Sequence, residues 1–352
     1  MIENEAVREG FERQARACSE LGSPFTARLC LIAIEKLDPS SPIGALINGW
    51  SEERVVADAL ALRFCGALHA LKRQGFAPLV EVYPPQQPSD HILWDAVLRA
   101  IDEKADFIAE RMRFAPQTNE VRRSAALFPA FSEIAARFPG KPLVLSEIGA
   151  SAGLNLLWDR FSYKLSEKHF KPNGEVPFEI VPEWNGPLPP DRPVDVAERA
   201  GCDLNPLDAS NEDHCERLMS YIWADQTDRL QRTEKALALA RDAKLSVDRE
   251  DALVWLQQRL LKPRPGMVHV IYHTTAWQYL PHEAQREGDR LIDEAGQKAG
   301  TDAPICRLAM EADEQTPGAG LTLTIWPAGE TRHVGRADFH GRWIDWQGWK
   351  NT

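Results

Sequence analysis

The stretch LVLSEIGASAGLNLLWDRF, residues 143–161, combines a nucleophilic side chain with small residues at a spacing typical of two different chemistries. Its centre, G-A-S-A-G, matches the nucleophile elbow of serine hydrolases, in which Ser151 would supply the attacking hydroxyl. With Glu147 in front, the same letters also match a glycine-rich turn that lets a ligand approach the backbone at the start of a helix. Both interpretations need a strand, a tight turn and a helix in that order.

The elements on either side favour the ligand-binding turn. Residues 1–138 are predicted to form a helical region, whereas a hydrolase elbow strand is normally preceded by several other strands. A first strand that ends in an acid, followed by glycines and a helix, begins a doubly wound nucleotide-binding half. Beyond this point strands alternate with helices, with predicted strands at DVAERAGCD, LSVDRED, MVHVIYH and PICRLAMEA and a closing hairpin of LTLTIWP and HVGRADFHG. The pattern therefore predicts an α/β fold with a mostly parallel sheet that helices cover on both faces.

The helical region itself is predicted in three parts. One helix is capped by Ser51 and ends at Gly75, a second is capped by Ser89 or Asp90, and a third begins near residue 118 and is interrupted at Pro129. The segment FPGKP marks a boundary, so that the second domain covers residues 139–352. Within that domain residues 163–197 are predicted to be an irregular insertion, and residues 211–243 a long helical segment.

The glycines also distinguish between cofactors. A dinucleotide site needs the pattern G-x-G-x-x-G with an acid roughly 20 residues further on, but this turn offers Gly149 and Gly153 alone. Glu147 precedes the first of them by two residues, where a carboxylate suits a ligand with a sulfonium and an amino group and no pyrophosphate. We therefore predict S-adenosylmethionine as the cofactor.

Four segments together resemble the bacterial DUF2332 family: EIGASAGLN with the following DRF, RAGCDLNPLD (199–208), DREDALVWL (248–256) and PQTNEVRRSAALFPA (116–130). The resemblance covers most of the chain and implies a Rossmann-like, methyltransferase-type fold, although Ser151 stands where that pattern usually has a glycine. It implies that Asp203 binds the ribose hydroxyls and Asp251 the adenine amine, while the rest of the cofactor is held by Glu147, Gly149, Ala150, Ser151, Gly153 and Asn155. The alternative is that Asp203 and Asp251 are turn and N-cap residues.

Two further residues could move protons. His273 ends the strand MVHVIYH and, as a neutral imidazole, could act as a general base, with Glu311 after the next strand as a second acid or base. The alternatives are a hydrogen-bonded strand-end histidine and an exposed loop carboxylate. His269 and His273 have H-x-x-x-H spacing, but on a strand they lie roughly 13 Å apart, too far to share an ion, so we predict no metal site.

Substrate contacts are predicted from residues on either side of the crevice: Asn119, Glu120, Arg123 and Trp277. Helix capping is the alternative explanation for Asn119, and core packing is the alternative for the tryptophan.

Composition limits the possible functions. The chain of 352 residues has a formal net charge of −11, which argues against a general nucleic-acid binder because such a protein needs a basic surface. No apolar run approaches the roughly 20 residues of a membrane span, and the acidic start lacks a secretory signal. We therefore expect a cytoplasmic protein that acts on a small molecule. Three hypotheses stay open: an S-adenosylmethionine-binding protein that transfers methyl, a serine hydrolase using Ser151, and a non-catalytic binding module.

Overall fold

A computed structural model describes residues 1–172 and 176–349 of the chain. The described chain divides into two compact units. Unit 1 comprises Met1–Thr118 and Asn211–Glu234, and unit 2 comprises Asn119–Ser210 and Lys235–Thr352. The sequence instead predicts one boundary near residue 138, whereas these units divide after residues 118, 210 and 234. The domains predicted from the sequence stay a prediction.

The helices are numbered in chain order: α1 Glu5–Glu20, α2 Pro24–Lys36, α3 Pro42–Asn48, α4 Leu60–Arg73, α5 Ala77–Val80, α6 Asp90–Met112, α7 Ser124–Arg137, α8 Glu212–Ser220, α9 Thr227–Asp242, α10 Ala252–Leu260 and α11 His282–Gln297. In unit 1 the helices bury one continuous apolar core, which includes Phe11 and Phe64 in tilted ring contact at 6.2 Å. In the part of the chain that the structure describes, no helix combines the length and apolar character that a membrane span requires.

Two predicted helices of the N-terminal region differ from the structure in their extent. The helix predicted from Ser51 begins at Leu60, because Ala59 adopts a left-handed backbone with φ +50°, and only a short 3₁₀ turn precedes it. The expected interruption at Pro129 is wrong, since α7 runs through it. A proline removes one helical hydrogen bond, and the packing of a largely buried helix such as α7 offsets that loss. Ser89 caps α6 as predicted.

The helical segment predicted at 211–243 consists of two helices, α8 and α9. Asp225, which lies between them, accepts hydrogen bonds from the hydroxyl of Ser23 (2.5 Å) and the backbone N–H of Phe25 (2.9 Å). The linking residues are therefore held against the start of α2, and a continuous helix is not formed there.

Unit 2 is built on a nine-stranded sheet with the order β5-β12-β11-β10-β9-β8-β1-β6-β7. The strands are β1 Leu143–Ile148, β2 Ser162–Leu165, β3 Lys168–Phe170, β4 Glu179–Ile180, β5 Glu183–Asn185, β6 Val196–Asp203, β7 Asp248–Arg249, β8 Val268–Thr274, β9 Ile305–Glu311, β10 Ala319–Trp326, β11 Glu330–Ala337 and β12 Trp343–Trp346. Strands β7, β6, β1, β8 and β9 pair in parallel, and β9 to β12 continue as antiparallel neighbours. Every residue of β1 and β8 is buried, as expected for central parallel strands covered on both faces.

The α/β class, the helical N-terminal region and the closing hairpin are thus confirmed, and among the described residues no strand precedes Leu143. The predicted irregular insertion is only partly irregular. It contributes β2, β3 and β4 to a small three-stranded sheet, and β5 pairs with β12 in the large sheet. These strands have two to four residues each, too few for an alternating pattern to be visible in the sequence. Residues 173–175 of the insertion lie outside the described chain.

Candidate functional site

The glycine-rich turn lies at the carboxyl edge of three adjacent parallel strands, β6, β1 and β8. After β1 the backbone takes positive φ at Gly149 (+68°), Ser151 (+55°) and Gly153 (+71°). Glycine adopts such angles readily, whereas serine does so at a cost in free energy, so Ser151 must be held there by its surroundings. A 3₁₀ helix, Leu154–Arg160, follows directly.

The backbone amides of this turn mostly donate to acceptors within the protein. The pairs are Ala150 N to Cys202 O (3.0 Å), Ser151 N to Asp203 Oδ2 (2.9 Å), Gly153 N to Ala150 O (2.7 Å) and Leu154 N to Asn119 Oδ1 (2.9 Å). A phosphate cradle needs amides that point at the ligand. These four amides are already bonded, which agrees with the lack of a dinucleotide pattern in the sequence.

Glu147 lies at the end of β1 and is 1% exposed. Burial raises the pKa of its carboxyl to about 8, although the hydroxyl of Tyr272 donates to Oε2 at 3.3 Å and the charge of Arg123 acts in the opposite direction. Tyr272 stands opposite Glu147 in the register of β1 and β8. At neutral pH this carboxyl is therefore mostly protonated, and can itself donate a hydrogen bond.

Residues 119–123, predicted to contact substrate, are brought to the turn. The side chain of Asn119 caps the Leu154 amide, and the carbonyl of Glu120 accepts from Asn155 Nδ2 at 3.3 Å. The guanidinium of Arg123 donates to the backbone carbonyls of Phe339 (2.8 Å) and Thr274 (3.1 Å). Segment 119–123 therefore links the glycine-rich turn to the carboxyl end of β8.

The two aspartates assigned to the adenosine part also have backbone partners. Asp203 ends β6, and its carboxylate accepts from the amides of Ser151 and Asn205, both at 2.9 Å. Asp251 caps α10, with its Oδ1 accepting from Leu253 N at 2.9 Å and Val254 N at 3.3 Å. Both residues thus have the turn and N-cap geometry of the alternative explanation. Their carboxylates are accessible enough to accept further hydrogen bonds, since Asp203 is partly exposed and Asp251 is exposed.

Two polar atoms near the turn are buried without a hydrogen-bond partner among the described residues, Ser151 Oγ and Asn155 Oδ1. A hydrolase nucleophile would be hydrogen-bonded to a histidine, which would in turn be oriented by an acid. Ser151 Oγ has no such contact within the described chain. Its positive φ and its place between a strand and a helix are the features that it shares with a nucleophile elbow.

The loop after β8 closes against the turn after β1. A Cβ atom added to Gly149 would lie 2.5 Å from the Cβ of Ala276, a contact closer than side chains tolerate. Thr275, the preceding residue, has a left-handed backbone with φ +49°. Glycine is thus required at position 149 by close approach as well as by φ, and Ala276 occupies the space directly in front of it.

His273 and Glu311, the two predicted proton-transfer residues, are in contact. His273 Nδ1 and Glu311 Oε1 are 2.8 Å apart, while His273 Nε2 faces Arg307 Nε at 3.3 Å and Nη2 at 3.2 Å. Burial lowers the pKa of His273, which outweighs the hydrogen bond to Glu311, so the imidazole is neutral near pH 7. A neutral ring that donates from Nδ1 to the carboxylate and accepts at Nε2 from the guanidinium has both nitrogens engaged.

Glu311 also organises the loop that follows β8. Its carboxylate accepts from the backbone N–H groups of Ala276 (3.0 Å), Trp277 (3.1 Å) and Gln278 (3.3 Å). Burial raises the pKa of this carboxyl, but its hydrogen bonds lower the pKa by more, with a net shift below the ordinary value. Glu311 is therefore partly buried and holds the loop after β8 through three backbone amides. It is not the exposed loop carboxylate that was the alternative.

Trp277, a predicted substrate contact, packs between these groups. Its ring stacks on His273 with a centroid distance of 4.8 Å, and the Arg307 guanidinium lies 4.5 Å from the ring centre. It is buried, which agrees with the core-packing alternative.

Sequence reasoning missed Tyr272 and Arg307. An arginine within the apolar strand β9 was a visible signal, because a buried guanidinium needs partners; no signal identified Tyr272, whose role depends on strand register. His269, the other histidine of β8, faces Ser146 Oγ at 2.8 Å. No group of three or more metal-binding side chains occurs among the residues that the structure describes.

The chain belongs to the family described as "Uncharacterized protein conserved in bacteria (DUF2332)", whose family model matches residues 8–346. The family suggested by the four sequence segments is thereby confirmed over nearly the whole chain. No curated protein matches the chain, and no solved structure does.

Proposed function

We propose that this protein binds an adenosyl ligand, S-adenosylmethionine or its demethylated product, at the carboxyl edge of β6, β1 and β8, and transfers methyl to a small molecule. The observation that carries the proposal is the order of the parallel strands, β7-β6-β1-β8-β9. Numbered along the chain, these strands follow the order 3-2-1-4-5, as in the first part of a doubly wound nucleotide-binding sheet. Such sheets bind ligands where the order reverses, which here is between β1 and β8, beside the glycine-rich turn.

Two aspartates at the carboxyl edge could bind the adenosine part of the ligand. Asp203 and Asp251 follow adjacent strands and retain accessible carboxylate oxygens, which can accept from ribose hydroxyls and from an adenine amine. Both also hold backbone amides, so the ligand would bind to carboxylates that are already oriented.

The methionine part fits less well. Glu147 is buried beside Tyr272 and mostly protonated near pH 7, so it offers no full negative charge to a sulfonium or amino group. Ala276 fills the space before Gly149. We therefore assign the fit to the adenosine part, and expect the loop around Ala276 to move when a ligand with a methionine tail binds.

Bound S-adenosylmethionine would supply an electrophilic methyl group. The chain's own contribution would be to hold the ligand at the edge of the sheet and to keep the loop after β8 in place through His273, Glu311 and Arg307. Because both ring nitrogens of His273 are engaged, we propose a positioning role for it in place of the general base first predicted. Asn119 and Glu120 would also be positioning residues, because they bond to Leu154 and Asn155 and so hold the glycine-rich turn.

The proposal is tested by calorimetric titration of the protein with S-adenosylmethionine and S-adenosylhomocysteine. Asp251→Asn keeps an N-cap side chain and removes the charge, so it should weaken both ligands about tenfold with the fold intact, a loss of about 1.4 kcal/mol. Asp293→Asn, on the exposed face of α11, is the matched control and should bind as the wild type does. If neither ligand binds at high micromolar concentration, the proposal is wrong.

The hydrolase hypothesis is separated by a fluorophosphonate probe. On our proposal Ser151 is not labelled, since its hydroxyl is buried and touches no histidine within the described residues. If the wild type is labelled and Ser151→Ala is not, the serine hydrolase hypothesis is supported and the methyl-transfer proposal is wrong. A protein that neither binds adenosyl ligands nor reacts with the probe would be a non-catalytic binding module.

A further inference from the structure

A cavity of about 440 Å³ lies in unit 2 beside the insertion that follows the 3₁₀ helix. We propose that this cavity binds a small aryl carboxylate, a planar ring carrying one anionic group. Its volume lies within the range of about 300–1,000 Å³ that is usual for small-molecule sites. Aromatic residues at the base of the cavity, its floor, favour a planar ring, and charged residues around its opening, its rim, favour an anionic group.

The floor is made of aromatic rings in mutual contact. Phe128, which is partly exposed, stacks on Tyr163 with centroids 4.5 Å apart and ring planes 12° from parallel. Phe170 meets Phe128 edge-on at 5.1 Å, and the hydroxyl of the buried Tyr163 donates to the carbonyl of Trp158 at 2.5 Å. Tyr163 and Phe170 are buried and hold the ring of Phe128, which is the partly exposed ring that a planar ligand can contact with little loss of side-chain entropy.

Among the described residues, the rim carries four cationic and three anionic side chains, an excess of one positive charge. Two of its carboxylates are already paired, Asp159 with Arg199 at 2.7 Å and Asp191 with Lys168 at 2.8 Å. The remaining charged lining residues are Arg160, Lys171, Arg192 and Asp195.

Of these cations, Arg160 has only a distant contact, 3.9 Å to Asp159, and is 57% exposed. Lys171 and Arg192 make no ion pair with any residue in the described ranges 1–172 and 176–349. In a chain of net charge −11, such a local excess attracts an organic anion, and an arginine can bind a carboxylate through two parallel hydrogen bonds.

The cavity is separate from the glycine-rich turn. Its lining includes Val196, the first residue of β6, which pairs with Leu143 at the amino end of β1. The turn follows Ile148, at the other end of the same strand. Arg199, the lining residue of β6 nearest the turn, pairs with Leu145, so about three residues of strand, roughly 10 Å, separate it from the end of β1. The cavity lining shares no residue with the proposed adenosyl site.

The test compares acids with their uncharged amides, by calorimetry or saturation-transfer NMR with benzoate, benzamide, indole-3-carboxylate and indole-3-carboxamide. We expect each acid to bind at least tenfold more tightly than its amide. The double variant Arg160→Gln/Arg192→Gln should abolish this preference. Arg286→Gln/Lys298→Gln, which removes the same charge from exposed positions on and after α11, should leave it unchanged.

Three results would overturn the proposal: no binding of either acid at several millimolar, equal binding of acid and amide, or a preference that survives in the Arg160/Arg192 double variant. A further variant, Phe128→Leu, tests the floor and should weaken acid and amide alike. Because Arg160 and Arg192 are exposed, their substitution should not affect folding, and an unchanged circular dichroism spectrum checks this.

Discussion

Glu147 shows how burial changes what a residue can do. From the sequence its carboxylate was expected to attract a cationic ligand, which requires a negative charge at neutral pH. In the folded chain the side chain is enclosed between strands β1 and β8, and desolvation favours the uncharged acid. The residue type was recognised correctly, but its protonation state depends on an environment that is created only when the strands pair.

This shift makes stability depend on pH. Because the pKa in the folded state, about 8, lies above the ordinary value of 4.5, the folded protein holds a proton that the unfolded chain releases as the pH rises through this window. The free energy of unfolding should therefore fall between pH 4.5 and 8 by a few kcal/mol from this residue. Glu147→Gln mimics the protonated acid and should remove that loss, so the variant should gain on the wild type as the pH rises.

The measurement is urea denaturation of both proteins at a series of pH values. Glu283→Gln, at an exposed position in the first turn of α11, serves as the control for a general loss of charge. A difference between Glu147→Gln and wild type that is the same at every pH would show that Glu147 is ionised in the folded protein.

Glu311 is the opposite case, since its carboxylate is stabilised as an anion by one imidazole and three backbone amides. Glu311→Gln keeps the shape of the side chain but replaces one acceptor oxygen by a donor. We expect a loss of about 1–3 kcal/mol in the free energy of unfolding. Glu314→Gln, three residues further on and exposed, should change it by less than about 0.5 kcal/mol. Equal effects of the two variants in chemical denaturation would rule out a loop-anchoring role.

At the level of elements, the site depends on two loops that meet at the carboxyl edge, one after β1 and one after β8. Gly149→Ala should destabilise the protein by about 2 kcal/mol or more, because the new Cβ meets Ala276 and the φ of +68° disfavours a side chain. Adding Ala276→Gly should recover part of the loss by removing the collision while the backbone strain stays.

A double-mutant cycle by denaturation measures this coupling. Strictly additive effects of the two substitutions would mean that the loops do not touch. The Ala276→Gly single variant also tests the ligand proposal: it opens space in front of Gly149, so S-adenosylmethionine should bind at least as tightly as to the wild type. Weaker binding to this variant would contradict the assignment of Ala276 as the residue in the way.

The sequence was most informative about elements with a long pattern. The strand MVHVIYH and the helix ALVWLQQRLL were located almost to the residue, because their apolar residues repeat over enough positions to define a period. The strand predicted at LSVDRED is reduced to the two residues of β7, and the strands of the insertion carry no such pattern. These short strands exist because neighbouring strands offer hydrogen bonds. Tertiary pairing, which is not written in local sequence, determines these short elements.

The site was predictable in composition but not in connectivity. Asn119, Asn155 and Asp203 were selected from the sequence and do meet at the turn, as does His273 with Glu311. What the sequence could not show is that the side chains of Asn119, Asn155 and Asp203 each bond to a backbone group at the turn or in segment 119–123, since partners up to 52 residues apart are brought together only by the fold. For the same reason the sequence did not identify Tyr272, whose hydroxyl donates to Glu147 on the neighbouring strand.

For the whole molecule, the proposed aryl carboxylate site places unpaired cations on an acidic chain, and we expect this combination to favour small anions over a polyanion. A formal net charge of −11 should disfavour the approach of a polyanion, while the three rim cations lie within a Debye length, about 8 Å, of an anion bound in the cavity. The two proposals thus assign two ligands to different parts of one sheet, the adenosyl ligand to its carboxyl edge and the aryl carboxylate to the amino-terminal half of β6.

This separation predicts independent binding. The two sites share no lining residue, and roughly 10 Å of strand, more than a Debye length of about 8 Å at physiological salt, separates Arg199 from the end of β1. Saturation of one site should therefore change the dissociation constant at the other by less than about twofold. Titration of S-adenosylhomocysteine into protein saturated with indole-3-carboxylate, and the reverse, measures this coupling, which must be equal in both directions. Competition would mean that both ligands occupy one cavity. A twofold or greater gain in affinity would mean that β1 and β6, which run from one site to the other, respond as a unit to either ligand.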